Sequence, residues 1–269
     1  MITKDGREIA RTYEQRVLKA LHKYGWLRTR DLAVLIWMRA NSRPKSAVFV
    51  PKPIVVEPSA WRMAQRTLAR LRKADKVLWR QAPDGSTIYG LAEAGAHWLV
   101  RQGISASSGK DLVRRVSLSH YHHRRIANEI AILASRQGYR VASEREIAVG
   151  QWFGGKDGVA GKEPDVIVRD GKDVYWIEVE RSRRNKKDEA ALRTALVKLW
   201  ADVRHPLDIP TLPNDHRLKK VMFVCEPAFI DRLMTDLEKL GWTKEMIEHR
   251  ILSIKLLYVT EGKFLLKPK

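Results

Sequence analysis

The amino-acid sequence predicts an α/β protein, α+β overall, in which a small helical domain precedes a larger domain with a mixed sheet. Within residues 1–105, segments with helical periodicity come first and a β-hairpin follows. Within residues 110–269, helices and strands alternate, which is typical of an α/β domain. The stretch between them, 103–110, is rich in Gly and Ser and reads as a linker. These observations predict two domains, 1–105 and 110–269.

The elements of the first domain have the order of a winged helix. Apolar residues recur at helical spacing in each predicted helix. Two short apolar runs on either side of Pro83-Asp84-Gly85 predict the hairpin. In a winged helix the third helix enters the major groove and the hairpin, or wing, contacts the backbone or minor groove. The predicted elements are a helix at 13–22 ending at Gly25, a second helix capped by Thr29, a polar loop at 39–58, a third helix at 60–74, strands at 77–80 and 87–91, and a helix at 92–101.

The charge of the chain predicts a polyanionic partner. Lys and Arg number 51 against 31 Asp and Glu, a formal net charge of +20. The first domain holds 20 of the cations and 8 of the acids, so the smaller part carries most of the excess. Such a charge attracts nucleic acid through counterion release, and we expect double-stranded DNA as the partner, with other DNA-transfer or replication proteins as further partners. The candidate DNA-binding residues are Arg62, Arg66, Arg70, Arg72, Lys73 and Arg80.

Two other interpretations of the first domain stay open. Winged helices also serve as protein-docking modules, and a stripe of arginines at i, i+4 spacing is often only a solvated helix face.

The single cysteine, Cys225, excludes an internal disulfide and a cysteine-based zinc site. No apolar run is long enough to span a membrane, and no apolar signal segment follows Met1. We therefore expect a cytoplasmic protein with no membrane partner.

The second domain contains a hairpin rich in carboxylates. Taking Asp170-Gly171 as the turn places Asp165 opposite Trp176 and puts Asp165, Glu178 and Glu180 on one face of the sheet. Asp165 and Glu178 then become diagonal neighbours. The elements predicted for this domain are a helix at 118–136, strands at 165–169 and 174–180, a helix at 187–204, a strand at 220–225, a helix at 227–240 and a strand at 251–259.

Clustered carboxylates repel one another, and a divalent cation relieves that repulsion. Ligands that are all oxygen favour Mg²⁺ or Mn²⁺. The alternative is a solvated face on which arginines 181, 183 and 184 are the counter-ions. The helix at 118–136 adds His122 and Glu129, which are seven residues apart and would lie on one stripe with Leu118, Ile126, Ile130 and Leu133. Glu129 would approach the same acidic face. A structural His–Glu pair explains these two residues equally well.

The segment from Glu163-Pro164-Asp165 to Glu178-Val179-Glu180 resembles the PD-(D/E)XK nuclease superfamily, which includes many restriction endonucleases. In that pattern Asp165 matches the first acid and Glu178 the second, while Glu180 stands at the usual lysine position. A helical acid before the hairpin, as Glu129 would be, also fits the superfamily. The resemblance implies a restriction-endonuclease-like second domain with a metal site at Asp165, Glu178 and Glu129.

The whole layout is similar to the replication-relaxation family and to mobilization relaxases of the MobC type from plasmids and integrative elements. It shares their winged helix, a helix with His122 and Asn128-Glu129, the Pro-Asp pair, an acid-x-acid strand and a helix with Lys198. The resemblance implies binding at an origin of transfer or replication, as in plasmid mobilization and conjugation, and nicking by metal-dependent hydrolysis. The alternatives are a non-catalytic DNA-binding regulator with a degenerate nuclease fold, and a defence or repair nuclease. The candidate catalytic residues are Asp165, Glu178, Glu180, Glu129, Lys198 and His122.

Overall fold

The computed structural model describes residues 5–39, 49–51, 54–180, 186–201, 203–260 and 263–268, without the side chains of 186, 187 and 254–268. The mixed α/β class predicted from the sequence is confirmed. The chain forms two compact units. Unit 1 comprises residues 1–41 and 54–132, and unit 2 comprises residues 42–53 and 133–269.

Unit 1 combines helices with an antiparallel sheet in the order β1-β3-β2. The first helix is longer than the sequence predicted, because the Asp5 side chain caps it by accepting a hydrogen bond from the Arg7 N–H at 3.2 Å. It ends at Gly25, as predicted, in a positive-φ conformation that suits glycine. The elements are α1 (Gly6–Tyr24), β1 (Trp26–Arg28), α2 (Thr29–Leu32) with a π-helical turn at Ala33–Trp37, α3 (Pro58–Lys73), β2 (Val77–Gln81), β3 (Thr87–Leu91), α4 (Glu93–Val100), α5 (Lys110–Arg114) and α6 (Leu118–Arg136).

Two helix starts differ from the prediction. Thr29 is the first residue of α2 rather than its cap, and the carboxylate of Asp31 accepts from the Arg28 N–H at 2.9 Å instead. Helix α3 starts at Pro58, two residues before the predicted start at residue 60, because proline lacks the N–H that the first turn leaves unsatisfied. Most of the predicted loop at 39–58 lies outside the described residues.

The segment predicted as a linker is part of unit 1. The Gly109 N–H donates to the Leu91 carbonyl at 2.8 Å, and Val113 of α5 is buried with Trp26 and Tyr121. The side-chain amide of Asn128 donates to the Trp26 carbonyl at 3.0 Å. These contacts move the division between the units from the predicted 105–110 into α6, between residues 132 and 133.

Unit 2 is built on a mixed sheet in the order β10-β9-β8-β6-β5-β4, with β7 paired to β8. Strands β6, β8 and β9 run parallel, and the remaining pairs are antiparallel. The elements are β4 (Arg140–Ala142), α7 (Glu144–Ala148), β5 (Val166–Asp170), β6 (Asp173–Glu180), α8 (Lys186–Leu199), β7 (Thr211–Leu212), β8 (His216–Cys225), α9 (Pro227–Lys239), α10 (Lys244–Arg250), β9 (Ile251–Thr260) and β10 (Lys263–Pro268). Across the part of the chain that the structure describes, no helix is both long and apolar enough to cross a membrane.

One face of this sheet is covered by helices. Trp176 of β6 and Phe223 of β8 pack with Leu192 and Leu196 of α8 and with Phe229 of α9. Strand alternation places Glu178 and Glu180 on the same side of β6 as Trp176. The second half of β6 is therefore a buried strand that carries two acids toward an apolar layer.

Candidate functional site

The α3 helix of unit 1 exposes most of the cations that the sequence assigned to DNA. Arg62 and Arg66 are exposed one turn apart. Arg70, expected on the same stripe, instead donates to Glu14 at 2.9 Å and to the Thr67 hydroxyl at 3.2 Å. Its charge is therefore compensated within the protein, and the face that can meet a polyanion is centred on Arg62 and Arg66.

A groove of about 780 Å³ opens in unit 1 beside β2, the last strand in the order of its sheet. The indole of Trp79 is 52 % exposed there, and the Arg72 guanidinium carbon lies 4.2 Å from the ring centroid. Arg80 donates to the Arg114 carbonyl at 2.6 Å, a neutral acceptor that does not offset the guanidinium charge. We call this concavity the Trp79 groove. Its polar and aromatic lining is Arg72, Lys73, Asp75, Trp79, Arg80 and Arg114.

The turn between β2 and β3 is held by a buried ion pair. Asp84 accepts from Arg125 of α6 at 2.8 Å and from the Ser86 hydroxyl at 2.6 Å, and the Ser86 and Tyr121 hydroxyls lie 3.0 Å apart. Burial alone would raise the pKa of Asp84, but hydrogen bonds from Ser86, Tyr121 and Arg125 outweigh it and lower that pKa to about 2. The hairpin predicted as a wing is thus fixed at its turn.

Glu129 is engaged within unit 1. Its carboxylate accepts from Arg28 and from Arg30, each at 3.3 Å, so its charge is compensated without a metal ion. Arg28 also pairs with Asp31 at 2.7 Å, and these carboxylates raise the pKa of Arg28 although burial opposes them. The contacts of Glu129 are those of a structural network, which differs from the expectation that it is a metal ligand.

The rest of the stripe predicted on α6 is only partly buried. Leu118, expected to face the core, is 58 % exposed. His122 is half-buried, with its ring set edge-on to that of Tyr121 at a centroid distance of 5.3 Å. The other apolar members of the predicted stripe, Ile126, Ile130 and Leu133, are buried as expected.

The hairpin of β5 and β6 turns one residue later than predicted. Asp170 pairs with Asp173, so Gly171 and Lys172 form the turn, with Gly171 at φ 59° in its first position. Glycine at that position is the signature of the type II′ turn, whereas the prediction took Asp170-Gly171 as the two turn residues. The pairing shifts by two residues along β6, and an even shift leaves the faces of the side chains unchanged.

Asp165 lies immediately before β5, beside the second half of β6. Its carboxylate accepts from the Val179 N–H at 2.7 Å, and its own N–H donates to the Ile177 carbonyl at 3.0 Å. Asp165 is half-buried, and its charge helps to raise the pKa of Glu178. The two acids expected to converge are therefore close to each other.

Glu178 is 1 % exposed, and Trp176 and Lys162 donate hydrogen bonds to its carboxylate. Trp176 donates from Nε1 to Oε1 at 2.7 Å, and Lys162 donates from Nζ to Oε2 at 2.8 Å. Burial raises the pKa of Glu178 to about 7; Asp165 adds to this rise and Lys162 opposes it. We call Asp165, Glu178 and Lys162 the β6 cluster.

Sequence reasoning did not find Lys162. It lies three residues before Asp165, in a Gly-rich loop without a periodic pattern from which its position could be predicted. Its ammonium group contacts Glu178 of β6 only in the folded chain. Lys198, the lysine named from the sequence as a candidate catalytic residue, is exposed on α8, whereas Leu192 and Leu196 of that helix are buried.

Glu180 is 4 % exposed and pairs in register with Cys225 of β8. Burial raises the pKa of the Cys225 thiol to about 12, with the Glu180 charge adding to the rise. The arginines at 181, 183 and 184, which the alternative reading made counter-ions, lie outside the described residues. Among the residues that the structure describes, no group of three His, Cys, Asp or Glu side chains is placed to hold a metal ion.

Comparison with known proteins adds no relative. No family model, no curated protein and no solved structure matches this chain.

Proposed function

We propose that this chain binds double-stranded DNA through unit 1 and nicks one strand at an origin of transfer or replication through the β6 cluster. The observation that carries the proposal is the contact of a lysine with a buried glutamate, next to an aspartate fixed by a backbone N–H. Two carboxylates can hold a divalent ion for phosphodiester hydrolysis, and a lysine beside them can orient water or donate a proton.

The DNA-binding part of the proposal treats unit 1 as a winged helix. Helix α3 precedes the hairpin of β2 and β3, and it exposes Arg62 and Arg66. The Asp84–Arg125 pair fixes the turn of that hairpin, so a wing would meet DNA without first being ordered.

Asp165 and Glu178 are the residues that would hold Mg²⁺ or Mn²⁺, since both offer the oxygen ligands that these ions prefer. When bound, the ion would neutralise charge on the phosphate and on the leaving oxygen. The backbone N–H of Val179 orients Asp165. Lys162 holds protons on Nζ at 2.8 Å from Glu178, where it can orient a water molecule or donate to an oxygen of the phosphate. The sequence suggests Glu180 or a nearby lysine for this role.

The test is conversion of supercoiled plasmid to open circles in the presence of Mn²⁺. Asp165→Ala should abolish the Mn²⁺-dependent conversion, because it removes a proposed metal ligand. Lys162→Met should lower the rate by at least about 100-fold, since general acid–base groups contribute on that order. Glu163→Ala is the matched control, because Glu163 is an exposed acid two residues from Asp165. Equal nicking by the parent and Asp165→Ala would contradict the proposal.

Metal binding has a readout independent of activity. Mn²⁺ should raise the melting temperature of the parent protein by mass action, and the rise should shrink in Asp165→Asn and Glu178→Gln but not in Glu163→Gln. An equal rise in all four proteins would place the ion elsewhere.

The second candidate function is a non-catalytic DNA-binding regulator of replication or transfer. The observation that favours it is that Lys162 already supplies a positive charge to Glu178, as a structural ion pair would. This function predicts origin binding without nicking and no effect of Mn²⁺ on melting. The plasmid and melting measurements together decide between the two.

A further inference from the structure

Beyond the duplex-binding face of α3, the Trp79 groove has the composition of a site for an unpaired nucleotide. Trp79 presents half of its surface at the opening of a concavity in a chain of formal charge +20. An aromatic ring in a cationic groove is a platform on which the flat face of a nucleobase can stack. The volume of about 780 Å³ lies within the ~300–1,000 Å³ usual for ligand sites.

The charges around the indole match a nucleic-acid backbone. Arg72 lies over the ring at 4.2 Å, which fixes the orientation of both side chains by a cation–π contact. Arg80 donates to the neutral Arg114 carbonyl at 2.6 Å, and this contact does not offset its positive charge. With Lys73 and Arg114, four cations line the groove against one acid, Asp75.

We propose that the Trp79 groove binds a single-stranded segment of DNA, with one base stacked on Trp79 and the adjoining phosphates on Arg72, Arg80 and Arg114. Proteins that bind single strands without sequence preference combine a cationic groove with aromatic side chains on which bases stack. The proposal deepens the DNA-binding part of the proposed function and is independent of the nicking reaction. Unit 1 would then contact both the duplex, through α3, and a strand freed from it.

The experiment measures binding of the full chain to three fluorescently labelled probes of equal length: an oligothymidylate, an abasic oligonucleotide with the same phosphates, and a duplex. Trp79→Ala should weaken binding to the oligothymidylate by about 5- to 150-fold and leave the other two probes within about twofold. Trp79→Phe should recover most of the affinity. Trp61→Ala is the matched control, since Trp61 is a 38 % exposed tryptophan of α3 outside the groove.

Arg114→Gln provides a second variant, which should weaken binding to the oligothymidylate and the abasic probe alike. Equal affinity of Trp79→Ala and the parent for the oligothymidylate would overturn the proposal, and so would an equal loss on the abasic probe, which lacks a base to stack. Failure of nicking leaves this result unaffected. Loss of duplex binding in α3 variants, with single-strand binding retained, would identify the groove as a separate site.

Discussion

The buried carboxylate of Glu178 illustrates how one residue can link stability to function. It lies on β6 between an indole N–H and an ammonium group, with 1 % of its surface exposed. Burial favours the neutral acid, so the pKa of Glu178 rises from 4.5 to about 7. A group that changes protonation near neutral pH is suited to proton transfer, and it also makes folding depend on pH.

Glu178→Gln should remove a pH dependence of stability. Because the folded pKa is raised, the folded state binds more protons than the unfolded state between pH 4.5 and about 7, and stability falls as pH rises through that window. The variant lacks this penalty, which is on the order of a few kcal/mol. Thermal melts at acidic and alkaline pH should therefore show the variant gaining on the parent at alkaline pH. A constant difference at all pH values would contradict the raised pKa of Glu178.

Asp84 should produce the opposite dependence. Its folded pKa is depressed from 3.8 to about 2, so its contribution to stability is complete above pH 4 and is lost as pH falls toward 2. Asp84→Asn should lower the melting temperature at neutral pH, because it removes the carboxylate that the buried guanidinium of Arg125 contacts at 2.8 Å. The loss should disappear near pH 2, and Asp75→Asn, at an exposed position, serves as the control.

At the scale of elements, helix α3 shows why equal spacing does not imply equal function. Arg62, Arg66 and Arg70 repeat at i, i+4, and a helical wheel treats them alike. The packing of α3 against α1 brings Arg70 to Glu14, while Arg62 and Arg66 face solvent. The surface available to a polyanion is therefore narrower than the stripe read from the sequence.

The salt dependence of duplex binding should separate these arginines. Arg62→Ala and Arg66→Ala should each reduce the slope of log affinity against log salt by about one unit, the amount expected for one phosphate contact. Arg70→Ala should leave the slope nearly unchanged and cost about 1 kcal/mol or less of stability, because an exposed ion pair is lost. Fluorescence anisotropy over a salt series makes the measurement. An equal change of slope in all three variants would show that Arg62, Arg66 and Arg70 contribute alike to DNA binding, as their spacing in the sequence predicts.

At the scale of the whole molecule, contacts that are distant in sequence set the boundary of unit 1. The Gly- and Ser-rich segment has the composition of a linker, yet the chain beyond it returns to bury Val113 and Tyr121 with Trp26 and Ile88. Composition describes what a segment can do locally, and burial depends on which surfaces are left uncovered elsewhere. The unit consequently extends to residue 132.

Two fragments test this boundary. Residues 1–136 should unfold cooperatively on heating, whereas residues 1–105 should not, because they lack the buried side chains of α5 and α6 in a domain whose total stability is only about 5–15 kcal/mol. Circular dichroism melts and amide hydrogen exchange of the two fragments provide the comparison. A sharp transition in residues 1–105 would show that the core is complete without α5 and α6.

The sequence by itself determined the mixed α/β class, the order of helices and hairpin in the first part of the chain, and the placement of Glu178 and Glu180 on one side of β6. These features follow from periodicity, capping and turn chemistry, which act within about ten residues. A two-residue shift in the hairpin register left the faces intact, since side chains alternate with a period of two.

Only the tertiary structure decided which charges meet. Lys162 forms an ion pair with Glu178, and Glu14 forms one with Arg70. Glu129 pairs with both Arg28 and Arg30, whereas Lys198 remains exposed. Most of these pairs join segments that are distant in sequence, so no local pattern predicts them. Lys162 and Glu178 are closer in sequence, but the path of the loop that contains Lys162 is set by its glycines rather than by a periodic pattern. Long-range ion pairs form where the folded backbone leaves two opposite charges within reach, and that geometry exists only once the core has been packed.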